Sequence, residues 1–124
     1  MQLKNSEENA TFLINILEDY FKKNVTSFYQ IDGENDMDFE LTCVIYRSYM
    51  VRFTLGDCEK GGAFGIDIFI GSGCQDLGLL VSDEDADKLF VNFDEKGIRD
   101  SLKILDGYLQ WRMTDAQKKT FNLI

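Results

Sequence analysis

DFELTCVIYRSYMVRFTLGDCEKGGAFGIDIFIGSG, residues 38 to 73, alternates apolar and polar side chains three times over, with turn residues between the runs. A half-buried strand imposes this period of two. In the first run Phe39, Leu41, Cys43 and Ile45 share one face, and Glu40, Thr42, Val44 and Tyr46 share the other. Arg47 and Ser48 mark a turn. In the second run Tyr49, Val51, Phe53 and Leu55 oppose Met50, Arg52 and Thr54, and in the third Phe64, Ile66, Ile68 and Ile70 oppose Gly65, Asp67 and Phe69. The pattern predicts a three-stranded antiparallel meander, and each apolar face must be covered by another element. The loop from Gly56 to Gly62 carries paired glycines, which permit the positive φ of a hairpin connection.

Toward the N-terminus, Ser6 followed by Glu7, Glu8 and Asn9 places a capping side chain and negative charge at a helix start. The helix is expected to run to about Lys23, with a buried stripe of Ala10, Leu13, Ile16 or Leu17, Tyr20 and Phe21. Val25 to Ile31 is β-branched and aromatic enough for an edge strand, giving a sheet of three to five strands. Asp32, Gly33, Glu34, Asn35 and Asp36 form the turn that follows.

Toward the C-terminus, Gly71-Ser72-Gly73 ends the meander, and Leu77, Leu79, Leu80 and Val81 fit either a strand or a connector. Ser82 with Asp85 three residues on starts a short helix with a stripe of Ala86, Leu89 and Phe90. Asn92 or Asp94 caps a longer helix, in which Ile98, Leu102, Leu105 and Leu109 recur at helical spacing, with Ser101, Tyr108 and Arg112 adjoining them. Thr114 and Gln117 form a capping box before Phe121, Leu123 and Ile124, which are expected to dock on the core. Without repeat, proline or linker-like composition, residues 1 to 124 are expected to form a single α+β domain: N-terminal helix, antiparallel meander, C-terminal helices.

Composition narrows the function classes. The chain has 22 acidic and 13 basic residues, a net charge of −9, which disfavours nucleic acid and anionic membrane surfaces and favours a cationic protein partner. No membrane span or secretory signal is evident, and three cysteines (Cys43, Cys58, Cys74) cannot all pair within one chain. Reduced thiols in a cytoplasmic protein, monomer or homodimer, are the expectation.

Histidine is absent, which removes His-activated nucleophiles and the commonest general base. The cysteines lack zinc-knuckle spacing, and Gly71-Ser72-Gly73 is followed by Asp76 where a dinucleotide turn needs glycine. Asp83, Asp85, Asp87 and Asp94 have the spacing of a calcium loop, but Lys88 stands where that loop needs glycine. No catalytic residue, cofactor or metal site is assigned.

The candidate partner-binding residues are therefore surface ones. Asp32, Glu34, Asp36 and Asp38 form one acidic cluster, and Asp83, Glu84, Asp85 and Asp87 another. The second face of the meander shows Val44, Tyr46, Met50 and Phe69 among Glu40, Arg52 and Asp67, which is more aromatic than solvation requires. Either the C-terminal helix covers this face, or Tyr46 and Phe69 are anchors for a protein partner.

The helix from Ser6 to Lys23, the meander ending in GAFGIDIFIG (Gly62 to Gly71), the helical tail and the acidic charge together resemble the immunity proteins of bacterial toxin-immunity pairs. The resemblance implies a non-enzymatic inhibitor that binds a cognate toxin, often a basic nuclease domain. It carries over no individual residue. The alternatives are an acidic secretion chaperone, a class that usually places a helix between its strands, and a metal-dependent enzyme using Asp83, Asp85 and Asp87 or Asp32, Asp36 and Asp38.

A fold that relies on neither metal nor disulfide should keep its melting temperature in EDTA plus a thiol reductant. Differential scanning calorimetry with and without both reagents checks this; a large drop would mean that the acids or cysteines hold a structural site.

Overall fold

A computed structural model describes residues 3–60, 62–89 and 92–124. Helix α1 (Ser6–Phe21) starts one residue earlier than the sequence suggests, because Asn5 is the cap: its side chain accepts from the Glu8 amide at 2.8 Å. It ends where Lys22 adopts a φ of 56° and a 3-10 turn, Lys22–Asn24, leads into the sheet.

Five strands, β1 (Val25–Asp32), β2 (Phe39–Ile45), β3 (Tyr49–Gly56), β4 (Ala63–Ile70) and β5 (Gly73–Asp76), pair antiparallel in the order in which they occur. Strands β2, β3 and β4 match the three alternating runs, and β1 matches the edge strand expected over Val25 to Ile31. Strand β5 is a finding beyond them, since GCQD has no apolar alternation and is held by backbone pairing to β4, Phe69 opposite Cys74 and Asp67 opposite Asp76. The segment beyond it is a connector: a 3-10 turn at Leu77–Leu79 that buries Leu77 completely.

The C-terminal part holds α2 (Asp83–Asp87), α3 (Glu95–Arg112) and α4 (Asp115–Thr120). Asp94 caps α3 by accepting from the Gly97 amide at 2.8 Å, and the Thr114–Gln117 capping box of α4 is complete. Leu89 is half-buried beyond α2; Phe90 and Gly61 lie outside the described residues. Phe121 and Leu123 pack against the core, whereas Ile124 is exposed.

One face of the sheet is covered. Phe39, Leu41, Val51, Phe53, Leu55 and Ile68 meet Leu13 and Leu17 of α1 and Ile98, Leu102, Leu105 and Leu109 of α3 in a single apolar cluster. Phe93 closes one end of it, edge-on to Phe12 and Phe39 and tilted against Phe64. α3 lies beside α1, joined to it by Arg99 donating to Asp19 at 2.8 Å and by Tyr20 donating to Asp106. Because both helices take the same side, the opposite face stays open, with Tyr29, Ile31 and Met50 exposed and Val44, Arg52 and Phe69 half-buried. No helix of the described residues is long and apolar enough to cross a membrane.

Tyr46 departs from its expected place on that open face: it is buried, at 3% exposure. Strand alternation ends at Ile45, and Tyr46 and Arg47 take left-handed φ values of 53° and 56° in the turn to β3, so parity no longer fixes the side. The ring instead fills the other end of the core against Phe21 and Phe121, and its hydroxyl donates to Asp106 Oδ1 at 2.7 Å. Two left-handed residues that are not glycine cost on the order of 1 to 2 kcal/mol each. Burial of the ring, a hydrogen bond to a carboxylate and the Tyr46 amide bonded to the Asn24 carbonyl at 2.7 Å offset this.

Two outcomes follow from this packing. In urea unfolding, Phe53→Ala should cost about 3 to 5 kcal/mol and Ile68→Ala about 2 to 5, because both side chains are fully enclosed. Alkaline pH should also destabilise the fold. Burial and the Asp106 carboxylate raise both tyrosines, Tyr20 from 10.0 to about 12 and Tyr46 further. The unfolded chain therefore loses these protons first: the stabilisation is full below pH 10.0 and is lost as pH rises from there toward 12. Urea midpoints measured across that window should fall, and fall less in a Tyr20→Phe/Tyr46→Phe variant.

Candidate functional site

Helix α3 carries a second stripe besides its leucine seam. Ile104, Tyr108 and Trp111 recur four and three residues apart beside that seam, Ile104 and Tyr108 half-buried against the margin of the core, and Lys103 and Gly107 lie on the same groove. Trp111, the only tryptophan in the chain, is 78% exposed, and its ring lies 6.1 Å from that of Tyr108. Arg112 stacks over Tyr108 and Tyr49 and holds the base of this aromatic ridge. At Gly107 the ridge is notched, since an added Cβ would meet nothing within 4 Å.

The notch opens into a groove of about 400 Å³ whose far wall is Leu80, Val81, Ser82 and Asp85. This wall exists because Ser82 caps α2, accepting from the Asp85 amide at 3.2 Å, and places Asp83, Glu84 and Asp85 in the first turn, where the helix dipole favours them. Asp83, Glu84 and Asp87 are exposed and Asp85 is half-buried. Glu84 pairs with Lys88 at 3.6 Å, while Asp83, Asp85 and Asp87 have no cationic side chain within 4 Å among the described residues. Of these acids Asp85 lines the groove across from Trp111 and Tyr108, with Lys103 on the α3 side, and Asp83, Glu84 and Asp87 extend the negative charge beyond it, so that an aromatic anchor stands near steering charge.

The other acidic cluster is put to different use. Asp32, Glu34 and Asp36 are exposed in the β1–β2 connection beside the start of α1, where Asp32 accepts from Ser6 Oγ at 2.9 Å and from Gln30 at 3.2 Å. Asp38, expected on the surface with them, is buried. Its carboxylate accepts from the Cys58 amide at 3.2 Å and from Asn35 Nδ2 at 2.8 Å, and its carbonyl accepts from the Gly33 amide at 2.9 Å. Gly33 lies so close that a Cβ there would stand 2.4 Å from that of Asp38, so the residue is the lock of the loop and has no free face for a partner.

Phe69 sits half-buried on the open sheet face under the Arg52 guanidinium, which also donates to Asp67 at 2.8 Å. Burial of Tyr46 removes its expected companion there. Asp83, Asp85 and Asp87, spaced like calcium ligands, are helical, and among the described residues no three Cys, Asp or Glu side chains converge to hold a metal ion. Burial pushes the thiols of Cys43 and Cys58 up to about 12.

No protein-family model matches the sequence, and no curated protein or solved structure matches it either.

Trp111 is hard to read from the sequence because the leucine seam alone accounts for an amphipathic α3. A second stripe in Ile104, Tyr108 and Trp111, offset from the first, was the available signal.

Proposed function

We propose that this chain is a non-enzymatic binding protein of the immunity type, which captures a cationic protein domain, a toxin such as a nuclease, and occludes it. The observation that carries the reading is Trp111, standing exposed at the edge of a groove whose opposite rim is the acidic first turn of α2. Tryptophan and tyrosine supply large contact area at small entropic cost, and unpaired carboxylates steer a basic partner toward them. A net charge of −9 extends that steering beyond the groove. Succession of β1 to β5 without an intervening α-helix favours this reading over a secretion chaperone.

The test uses the purified chain and a basic toxin domain encoded beside it. The complex should form, cells producing the toxin should survive when the chain is co-expressed, and the fluorescence of Trp111 should change on binding. Trp111→Ala should weaken affinity about 30-fold or more, the scale of an interface anchor. Lysine at Asp83, Asp85 and Asp87 should slow association and flatten its dependence on salt, with dissociation changed less. Salt-independent binding, full affinity in Trp111→Ala, or turnover of a small substrate by the purified chain would overturn the proposal.

A further inference from the structure

A second cleft, of about 310 Å³, lies beneath the segment from Asp76 to Leu89, between the 3-10 turn, α2, β4 and α3. Phe64, Ile66, Leu79, Ala86 and Leu89 give it apolar walls, and it shares no lining residue with the Trp111 groove. Its polar feature in the core is Ser101. This residue belongs to the inward stripe of α3, next to the fully buried Leu102, and is 1% exposed. Among the described residues its Oγ has no hydrogen-bond partner.

An unpaired buried hydroxyl is a cost that the helix does not require, since alanine has the higher helix propensity and leaves nothing unsatisfied. The hydroxyl lines an apolar space that is about twice the roughly 150 Å³ in which a benzene-sized ring is held. We propose that the cleft binds a small neutral molecule, an apolar ring or short chain bearing one hydroxyl or carbonyl group that hydrogen-bonds Ser101 Oγ. A charged group is disfavoured, because these walls would strip its water and supply no countercharge. Asp76, at the margin, already accepts from the Gly78 amide at 2.7 Å through Oδ1.

The isosteric pair p-cresol and p-xylene, in which a methyl group replaces the hydroxyl, tests both halves of the proposal, using the whole chain. Titration followed by NMR should show saturable binding of both, with p-cresol about tenfold tighter, the factor expected of one added hydrogen bond. Ser101→Ala should bring the two ligands to within about twofold and should itself raise the melting temperature. Ala86→Leu, which extends into the cleft, should weaken both about tenfold or more. If that variant fails to fold by circular dichroism, the Ser101→Ala comparison decides. Absence of saturable binding, equal affinity for both probes in the unmodified chain, or a Ser101→Ala variant that is less stable and binds p-cresol unchanged would overturn the proposal; the last outcome would assign the hydroxyl to a buried water. None of these results depends on whether a protein partner occupies the Trp111 groove.

Discussion

Two helices on one side of a five-stranded sheet bury one face and leave the other wet, and the arrangement of nearly every large side chain here answers to that limit. Burial of each leucine or phenylalanine in the shared layer contributes roughly 1.5 to 3 kcal/mol. The layer works only if both helices stay in register with the strands. Asp106 does this at one end: it accepts from Tyr46 at the β2–β3 turn, from Tyr20 on α1 and from Gln110 one turn along α3. Phe93 does it at the other, touching α1, β2 and β4 at once. One lock is polar and directional and the other apolar, so the ends of the core are fixed by different physics.

The open face is managed rather than covered. Arg52 bridges β3 to Asp67 on β4 while lying over the half-buried Phe69, which makes that ring one flank of a cation–π contact. The left-handed Ser27 interrupts the pairing of β1 with β2, and such an irregularity discourages another chain from adding to the edge strand. Local ion pairs engage some of the basic residues on or beside the helices: Arg99 with Asp19 and Glu95, Lys96 with Asp100, Lys88 with Glu84. Exposed pairs of this kind add little stability. At the start of α2, Glu84 is paired in this way, whereas Asp83 and Asp85 have no cationic side chain within 4 Å among the described residues.

How much of this was legible in the sequence depended on whether a residue's place was set by periodicity. The alternation of Phe39 to Ile45 and Tyr49 to Leu55, and the leucine spacing of α3, stated the layer directly; the Thr114 capping box was equally plain, whereas the cap of α3 lay open between Asn92 and Asp94. Tyr46 was misplaced because the alternation was carried one residue beyond the strand, into a left-handed turn. Asp38 was misplaced because a carboxylate that locks a loop looks, in sequence, like its solvated neighbours Asp36 and Glu34. Strand β5 was not visible at all, since its stabilisation is backbone pairing, to which side-chain pattern is blind. Of the candidate site, the acids of α2 were legible and the tryptophan facing them was not.

The segment from Asp76 to Leu89 borders both the Trp111 groove and the Ser101 cleft. Leu77 anchors it in the core, but its remaining cover is a 3-10 turn and a five-residue helix, too short to be stable without the cap at Ser82 and the acids that suit its dipole. One side of the segment forms the rim facing Trp111; the other, through Leu79 and Ala86, roofs the cleft that holds the Ser101 hydroxyl. Elements that open at low free energy are those in which few apolar contacts hold much exposed backbone, and they are the ones that binding most readily reorders. The shared apolar layer of β2, β3, α1 and the seam of α3 therefore supports a segment of short elements at the place where both candidate binding surfaces lie.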